Sequence, residues 1–591
     1  MTLVHSHLLG ACCAVLTLGQ VASATTRPAA KHVVDGDRTT LGLRATPGAS
    51  VIVTFSDRPT AAQAAARLTG LGAVRALVPQ IGVWQLTPSN AADVAVAAAR
   101  RSKVLRVEWS LERRQATLPA RRPPIIALAP ISVPAPTDPL VANQWSLQTG
   151  RWTPSLTGRP ERPRIAILDT GLDTSTPDWA TPGVSAYGWD VVRRVALTGD
   201  SGAEGHGTHV AGIAAAPANG VGVVGVAPAS TDPAMARARV IPVKITFRDS
   251  NGFDVSTDAT QMAGIVYAVN HGAKVINISS GGPGYRHAFQ DTVNWAYKRG
   301  ALVVASVGND GHGANDVNYP AGYDHVVGVA ASCDGSVDGV DCLTARGRAT
   351  FSNFNFSVDV LAPGVRILST LPRRVIDSSA PAGYGYLDGT SMAAPYVTGT
   401  AALVYASHPN ASPDQVLRVI ETTSDRAVAG VGRTSKLGWG ELNPARAVNA
   451  TAPRNDLTEP NDDVNWLQKR FDIALTRTRR IVTLTARADY NDDHLDVYAL
   501  PLAKGRRVRV TLAAKGSRLA AFAYDGKGRI APELMTDAQF ERRIRGLTKR
   551  TTPGASAFTF TARTTGRHFI QVVAGAGGTA GEYTLRVERL N

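Results

Sequence analysis

Residues 164–173 read RIAILDTGLD. A continuous apolar run, Ile165 to Leu168, ends at the carboxylate of Asp169, and Thr170 and Gly171 follow at once. Similar runs recur through the chain: RVIPVKI (239–245), AKVINIS (273–279) and ALVVASV (301–307). They alternate with stretches of helical character at 258–271 and 286–299. This alternation predicts an α/β domain over residues 140–450, a parallel sheet covered by helices. Its polar residues of chemical interest fall at strand ends, where open α/β sheets place their sites.

The pattern changes on both sides of this block. SVIVTF (50–55) is strand-like, 61–68 helix-like, and 73–86 suggests two strands across a turn. NAADVAVAAARR (90–101) has a helical pattern that Asn90 could cap, and KVLRVEW closes as a strand. The order β-α-β-β-α-β predicts a ferredoxin-like α+β domain over 45–111. Residues 112–139, ERRQATLPARRPPIIALAPISVPAPTDP, are rich in proline and arginine and predict an exposed, cleavable connection. From about 455, DLTEPNDD precedes the short apolar runs RRIVTLTA, LDVYALPL, RRVRVTLAA, LAAFAYD, SAFTFTA, HFIQVVA and GEYTLRVERL. They predict an antiparallel β-sandwich over 455–591.

At the start, Leu8 to Leu18 is mostly apolar and Ala22-Ser23-Ala24 has the small-x-small form of an export cleavage site, so 1–24 reads as a signal peptide. That run is short for a membrane span, and no later stretch of about 20 apolar residues follows, so no transmembrane anchor is expected. Of four cysteines, Cys12 and Cys13 would leave with the signal. Cys333 and Cys342 remain in a Gly/Asp-rich loop and predict a local disulfide in an exported protein. A metal site there would need more ligands, for which Asp334, Asp338 and Asp341 are the candidates. Lys and Arg number 63 against 47 Asp and Glu, a net charge of +16. The charge is scattered, with local pairs at Arg113-Arg114, Arg121-Arg122 and Arg542-Arg543. It reads as a solvated surface, not as a specific nucleic-acid footprint.

Four stretches could carry chemistry. Asp169, at the end of an apolar strand, has reason to pair with a cation or an imidazole, or it caps a turn. In GHGTHVAGI (205–213), His206 and His209 stand three apart at the start of a small-residue helix. The stretch lacks the glutamate and spacing of a zinc motif, so one histidine could be a base. In GTSMAAPYVTGTAALV (389–404), Ser391 opens a helix, as a cap or where the helix dipole helps an oxyanion; Pro395 lies in its first turns. In ALVVASVGNDG (301–311), Asn309 makes a turn or donates its amide to an acyl-transfer site.

Together the blocks AILDTGLD, GHGTHVAGI, VINISSGG, VVASVGNDG and GTSMAAPYVTG resemble those of the subtilisin-like serine proteases, in that family's order of Asp, His and Ser. Residues 49–109 resemble the family's inhibitory propeptide, and 455–591 resembles the bacterial prepeptidase C-terminal domain. The resemblance implies Ser391 as nucleophile, His206 as proton carrier and Asp169 as the group that orients it. Asn309 and the Ser391 N–H would form the oxyanion hole. Ser279, Ser280 and Gly281 would pair with an extended substrate, Ser280 standing where relatives often have leucine and leaving a less apolar wall. Gly308 would line the primary side-chain pocket and Asn318 its base; with no acid evident there, broad or medium-to-large apolar preference is expected. His209 and Asp173 would lie outside the triad, His209 as a structural residue.

No cofactor is expected for catalysis. Structural calcium is possible, with 249–258, 310–316 and 334–341 as unspecific acidic loops. The expected partners are protein or peptide substrates and the chain's own propeptide, and the expected state is a secreted bacterial monomer. The rival readings are an inactive relative that binds through the sandwich, and an esterase sharing the site.

Overall fold

The computed structural model describes residues 50–88, 94–115, 138–147, 151–152, 163–180, 185, 187–229, 240–334, 346–426, 433–434, 436–456, 459, 472–488, 495–514, 519–525, 549–550, 557–574 and 581–591. The signal segment, Asn90, Cys342 and residues 116–137 of the connection lie outside them. The described residues divide into two compact units, one reaching to Asn455 and one from Asp456 to Asn591.

The first unit opens with β1 (Val51–Phe55), α1 (Ala61–Arg67), β2 (Gly72–Val78), β3 (Val83–Pro88), α2 (Val94–Ala99) and β4 (Val104–Trp109). The strands form an antiparallel sheet in the order β2-β3-β1-β4, the β-α-β-β-α-β arrangement that the apolar pattern predicts. Val51, Val53, Phe55, Leu68, Trp84, Leu86 and Val107 make its core. Thr60 caps α1, accepting from the Gln63 N–H while the Gln63 side chain accepts from the Thr60 N–H.

The chain does not then become a free connection. Glu112–Gln115 form strand β5, with Arg113 buried and Glu112 and Arg114 exposed, which corrects the expectation of a connection without regular structure for these four residues. At the far end of that segment Asp138 is buried, its Oδ1 accepting the N–H groups of Asn219, Gly220 and Val221.

The larger α/β layer follows. Its elements are β6 (Arg164–Asp169), β7 (Trp189–Asp190), β8 (Val195–Ala196), α3 (His206–Ala215), β9 (Val240–Lys244), β10 (Phe247–Arg248), β11 (Asp254–Thr257), α4 (Asp258–Asn270), β12 (Ala273–Ile278), β13 (Ser280–Gly281), α5 (His287–Lys298) and β14 (Leu302–Ser306). Then come β15 (Val326–Asp334), β16 (Arg346–Arg348), β17 (Val360–Pro363), β18 (Ile367–Thr370), β19 (Tyr384–Leu387), α6 (Thr390–Ser407), α7 (Pro413–Thr423) and α8 (Pro444–Asn449). The main sheet runs β16-β15-β14-β12-β6-β9-β7-β8, with β17 beside β15. Its centre is parallel and its outer pairs β15–β16 and β7–β8 are antiparallel.

Both faces of this sheet are covered, which is why its strands read as unbroken apolar runs. On one face Ile165, Ile167, Val275 and Val304 share a core with Val210 and Ala211 of α3 and Met392 and Val397 of α6. On the other, Gly264 of α4 lies so close to Leu168 and Ile245 that an added Cβ would come within 3 Å of both. Strand β6 sits between β12 and β9, where the chain order reverses, so Asp169 ends a strand at the topological switch point.

The second unit holds β20 (Ile481–Ala488), β21 (Leu495–Leu502), β22 (Arg507–Ala514), β23 (Leu519–Asp525), β24 (Lys549–Arg550), β25 (Ala557–Thr561), β26 (Gly566–Ala574) and β27 (Gly581–Arg589). Two antiparallel sheets, β20-β27-β22-β25 and β21-β26-β23-β24, share one apolar core. Across it the Tyr498 and Tyr583 hydroxyls lie 2.6 Å apart, and Tyr583 donates to buried Asp496 at 2.5 Å. The β-sandwich expected from seven apolar segments is the observed fold.

Candidate active site

Asp169, at the end of β6, meets His206, at the start of α3, and Ser391 stands in the first turn of α6, whose apolar side chains share a core with those of α3. Helix α3 has no capping side chain at Gly205. Its first amides find acceptors elsewhere: Thr170 Oγ1 takes the Gly207 N–H at 2.8 Å, and the Asp200 carboxylate takes the N–H and hydroxyl of Thr208 at 2.9 and 2.7 Å. A Cβ on Gly207 would stand 2.3 Å from the Gly171 carbonyl. The glycine beside His206 therefore lets α3 press onto the turn after Asp169.

That approach sets the pair. His206 Nδ1 lies 2.8 Å from Asp169 Oδ1, and the two side chains are buried to 1% and 2% exposure. The same oxygen accepts the Thr170 N–H at 2.8 Å and Gln115 Nε2 at 3.0 Å. Burial opposes a charge on His206, but the carboxylate of Asp169, by charge and hydrogen bond, outweighs it and holds the ring above its ordinary value. His209 behaves in the opposite way. Its Nε2 faces the carbonyls of Ile367 and Gly385 at 3.0 and 3.1 Å, so this nitrogen carries the proton. Burial pushes its basicity down to about 3, so the ring is neutral and structural.

Ser391 is fully buried, and its hydroxyl donates to the Ser279 carbonyl at 2.9 Å. His206 Nε2 has no hydrogen-bond partner. The Ser–His hydrogen bond is thus not made in this state, and rotation of the Ser391 side chain would be needed to make it. The surrounding backbone is fixed by Pro395, which has no N–H to give to the Ser391 carbonyl four residues back. Ser279 Oγ donates to that carbonyl instead, at 2.9 Å, and accepts from Asn277 Nδ2 at 2.9 Å.

Asn309 Oδ1 accepts from the Thr390 N–H at 3.0 Å and the Thr390 hydroxyl at 2.9 Å. A backbone N–H can only donate, so the oxygen of the amide is identified and Nδ2 is turned the other way. The Ser391 N–H belongs to the first turn of α6, which has no carbonyl partner within the helix. An amide donor and a backbone donor therefore flank the serine, the arrangement an oxyanion needs. The motif at 301–311 did not point to Thr390, which fixes the amide.

Gly281, Gly308 and Asn318 meet in one wall. A Cβ on Gly281 would come within 2.5 Å of Asn318 Nδ2, and one on Gly308 within 2.9 Å of Asn353 Nδ2. Asn318 donates to the Ser306 carbonyl at 3.1 Å. Gly308 takes φ +99°, open to glycine. Asn353 is an addition to the predicted wall; it lies 35 residues beyond Asn318 and carries no local signal.

The Ser279–Gly281 segment does pair with an extended strand, and that strand is β5 of the same chain. Ser280 opposes Gln115 and Gly281 opposes Arg114, while on the other side Val255, Ser256 and Thr257 oppose Arg114, Arg113 and Glu112. The first domain is held to the larger α/β layer by further contacts. The Glu108 carboxylate accepts the N–H groups of His287 and Ala288 at 2.8 and 3.0 Å, at the start of α5, and Arg106 pairs with Asp291.

Cys333 is disulfide-bonded; Cys342 lies outside the described residues. The acidic loop 249–258 is already committed. Asp249 accepts the N–H groups of Asn251 and Phe253, Asp254 that of Ala203, and Asp258 binds Arg113. Among the described residues, no group of three or more His, Cys, Asp or Glu side chains is placed to hold a metal ion. A different pair of acids stands together: Asp138 Oδ2 is buried without a hydrogen-bond partner, and the buried Asp178 has the Tyr384 hydroxyl and the Val223 N–H beside it. Burial, with the charge of Asp138 adding to it, pushes Asp178 up to about 7. No helix of the described residues is long and apolar enough to cross a membrane.

Residues 161–440 match the subtilase family, peptidase S8. Subtilisin DY of Bacillus licheniformis is 35% identical over 290 residues, 48% of this chain and 90% of that protein. Thermitase of Thermoactinomyces vulgaris is 37% identical over 286 residues, 48% of this chain and 88% of that one. Fervidolysin of Fervidobacterium pennivorans is 37% identical over 277 residues, but the match spans only 37% of its length. The crystal structure of fervidolysin, described as a keratinolytic enzyme related to subtilisin, superposes with a TM-score of 0.61 at 22% identity, covering 90% of this chain and 86% of that one. That likeness is one of fold.

Proposed function

The chain belongs to the subtilase family and carries a serine-protease catalytic domain, and on that premise we propose that it is a secreted endopeptidase made as a self-processing precursor. The observation that carries the reading is the 2.8 Å Asp169–His206 pair, with the chain's own strand β5 paired to the Ser280–Gly281 strand. Ser391 Oγ adds to the carbonyl carbon of the scissile bond and its proton passes to His206 Nε2. Asp169 holds the ring in place and stabilises its charge. The oxygen that becomes negative is met by Asn309 Nδ2 and the Ser391 N–H. The C–N bond then breaks and His206 returns the proton to the leaving amine. A water, deprotonated by His206, adds to the ester; the carboxylic acid leaves and Ser391 regains its proton. A substrate N–H directed at the Ser279 carbonyl would compete with Ser391 for it and release the hydroxyl towards His206.

Residues 45–111 act as the inhibitory propeptide, and the cut falls within 112–139. The primary pocket, walled by Gly281, Gly308 and the amides of Asn318 and Asn353, suits medium-to-large apolar side chains. Residues 1–24 serve as the signal peptide, Cys333 pairs with Cys342, and 455–591 is a prepeptidase C-terminal-like domain. Calcium, when bound, would supply fixed positive charge to a fold, and the residues that fit it are Asp138 and Asp178. The precursor carrying Ser391→Ala, made in a host lacking other proteases, should stay full length, hydrolyse no casein and take no fluorophosphonate label. Normal maturation of that variant would overturn self-processing.

A further inference from the structure

Strand β5 carries a fully buried arginine beside the reaction centre. Arg113 has 0% exposure. Its Nε donates to Asp258 Oδ1 at 2.7 Å, its Nη1 to the carbonyls of Gly282 and Pro283 at 2.5 and 2.8 Å, and its Nη2 to that of Gly284 at 2.9 Å. All three carbonyls belong to the turn that follows β13. Every acceptor thus comes from the peptidase layer, and the guanidinium comes from the segment that leaves on maturation. The surrounding wall is polar as well. Gln261 Nε2 donates to Ser256 Oγ and Ser280 Oγ, each at 3.0 Å, where an apolar side chain at 280 would have made a greasy surface.

The register fixes where this pocket stands relative to the cut. Ser280 opposes Gln115 and Gly281 opposes Arg114, antiparallel. A substrate chain in that register would bring the residue after the one at the place of Gln115 opposite Ser279, whose carbonyl holds the Ser391 hydroxyl at 2.9 Å. Gln115 is close enough for its side chain to reach Asp169. Counting back from a cut after residue 116, Arg113 is the fourth residue.

We infer that the cleft holds an arginine-recognition pocket, built on Asp258 and the carbonyls of 282–284, which selects peptide substrates with arginine four residues before the cut. The inference rests on the proteolytic reading above. An aliphatic side chain in the pocket leaves a buried carboxylate and the carbonyls without donors. A lysine offers a point charge but not the planar fork that engages the Asp258 carboxylate and a row of carbonyls together. The propeptide then inhibits by presenting the sequence feature the enzyme selects.

The test uses mature enzyme and quenched peptides identical except for Arg, Lys, Leu or Ala at the fourth position before the cut, with fluorophosphonate labelling of Ser391 as control. The expected kcat/KM order is Arg, then Lys, then Leu and Ala, with Arg over Leu by about 10²-fold. Asp258→Asn should bring that ratio towards one. Should the variant fail to fold, the wild-type comparison carries the test alone. Labelled enzyme that cuts the Arg and Leu peptides at equal rates overturns the pocket and leaves the proteolytic reading standing. Enzyme that takes no label fails that reading itself, and the pocket with it.

Discussion

One carboxylate oxygen of Asp169 serves three donors: the His206 ring, the Thr170 amide and Gln115. On the proposed maturation only the last would leave, and the pair would keep its other contacts. Asp169 beside the ring would still favour its charged form, the direction His206 holds here. The ring is a base only when neutral, and that form is lost as pH falls through its raised value. The acid limb of kcat/KM should therefore have its midpoint above about 6.5, the free histidine value. A pH profile on a neutral peptide checks this, and Asp169→Asn should move the limb down while cutting kcat about 10⁴-fold. Asn309→Ala removes the amide donor and should lower kcat by about 10²–10³-fold with KM little changed, read by steady-state kinetics. The separate roles of His206 and His209 were legible in sequence only through Asp169 upstream and Ser391 downstream. The tautomer of His209 was not, because its two acceptors lie 158 and 176 residues away.

At the scale of elements, the strands of the main sheet announce themselves because both their faces are apolar. Helices α4 and α5 begin and end within a residue or so of the 258–271 and 286–299 expected from pattern. Strand β5 is the opposite case. ERRQ has no apolar residue and sits at the head of a proline-rich stretch, so its composition reads as a loop. It is a strand because β11 and β13 supply hydrogen bonds on both sides, and because Asp258, 145 residues away, takes the charge of Arg113. The one local hint was Ser280, whose polarity pointed to a less apolar wall. Helix α6 shows a related dependence on distant partners: Pro395 interrupts its ladder and Ser279 supplies the missing donor. Ser279→Ala should leave the Ser391 carbonyl buried without that bond and cost about 1–3 kcal/mol. Urea unfolding in a Ser391→Ala background, free of self-digestion, would measure it.

At the scale of the whole molecule, three blocks of different pattern correspond to three groups of elements: β1–β4 with α1 and α2, the α/β layer, and the two sheets of β20–β27. The acidic loops singled out for calcium were less instructive, because local acid content does not tell which carboxylates have already found donors. Asp138 and Asp178 stand in unremarkable sequence, and the 219–221 loop gives its N–H groups to Asp138 Oδ1 while leaving Oδ2 buried without a donor. A cation bound there favours the folded state by mass action, about 2.7 kcal/mol at a hundredfold excess over Kd. Chelation should thus lower Tm by about 5 °C, and in Asp178→Asn calcium should no longer raise it, as scanning calorimetry of the Ser391→Ala protein would show.

Strand β5 lies between β11, which leads directly into α4, and β13, which follows β12 of the main sheet. Neighbouring strands are spaced at about 4.8 Å, so the gap it leaves is about 10 Å across. Such a gap takes one extended chain and refuses a helix or a folded sheet edge. On the proteolytic reading, a folded target would have to open locally before it could be cut, over a stretch long enough to fill the gap. When opening and closing are fast, the cutting rate of a folded target then follows the fraction of time its chain spends open. Susceptibility becomes a property of the victim's stability, and well-packed neighbours with the same sequence motifs are spared.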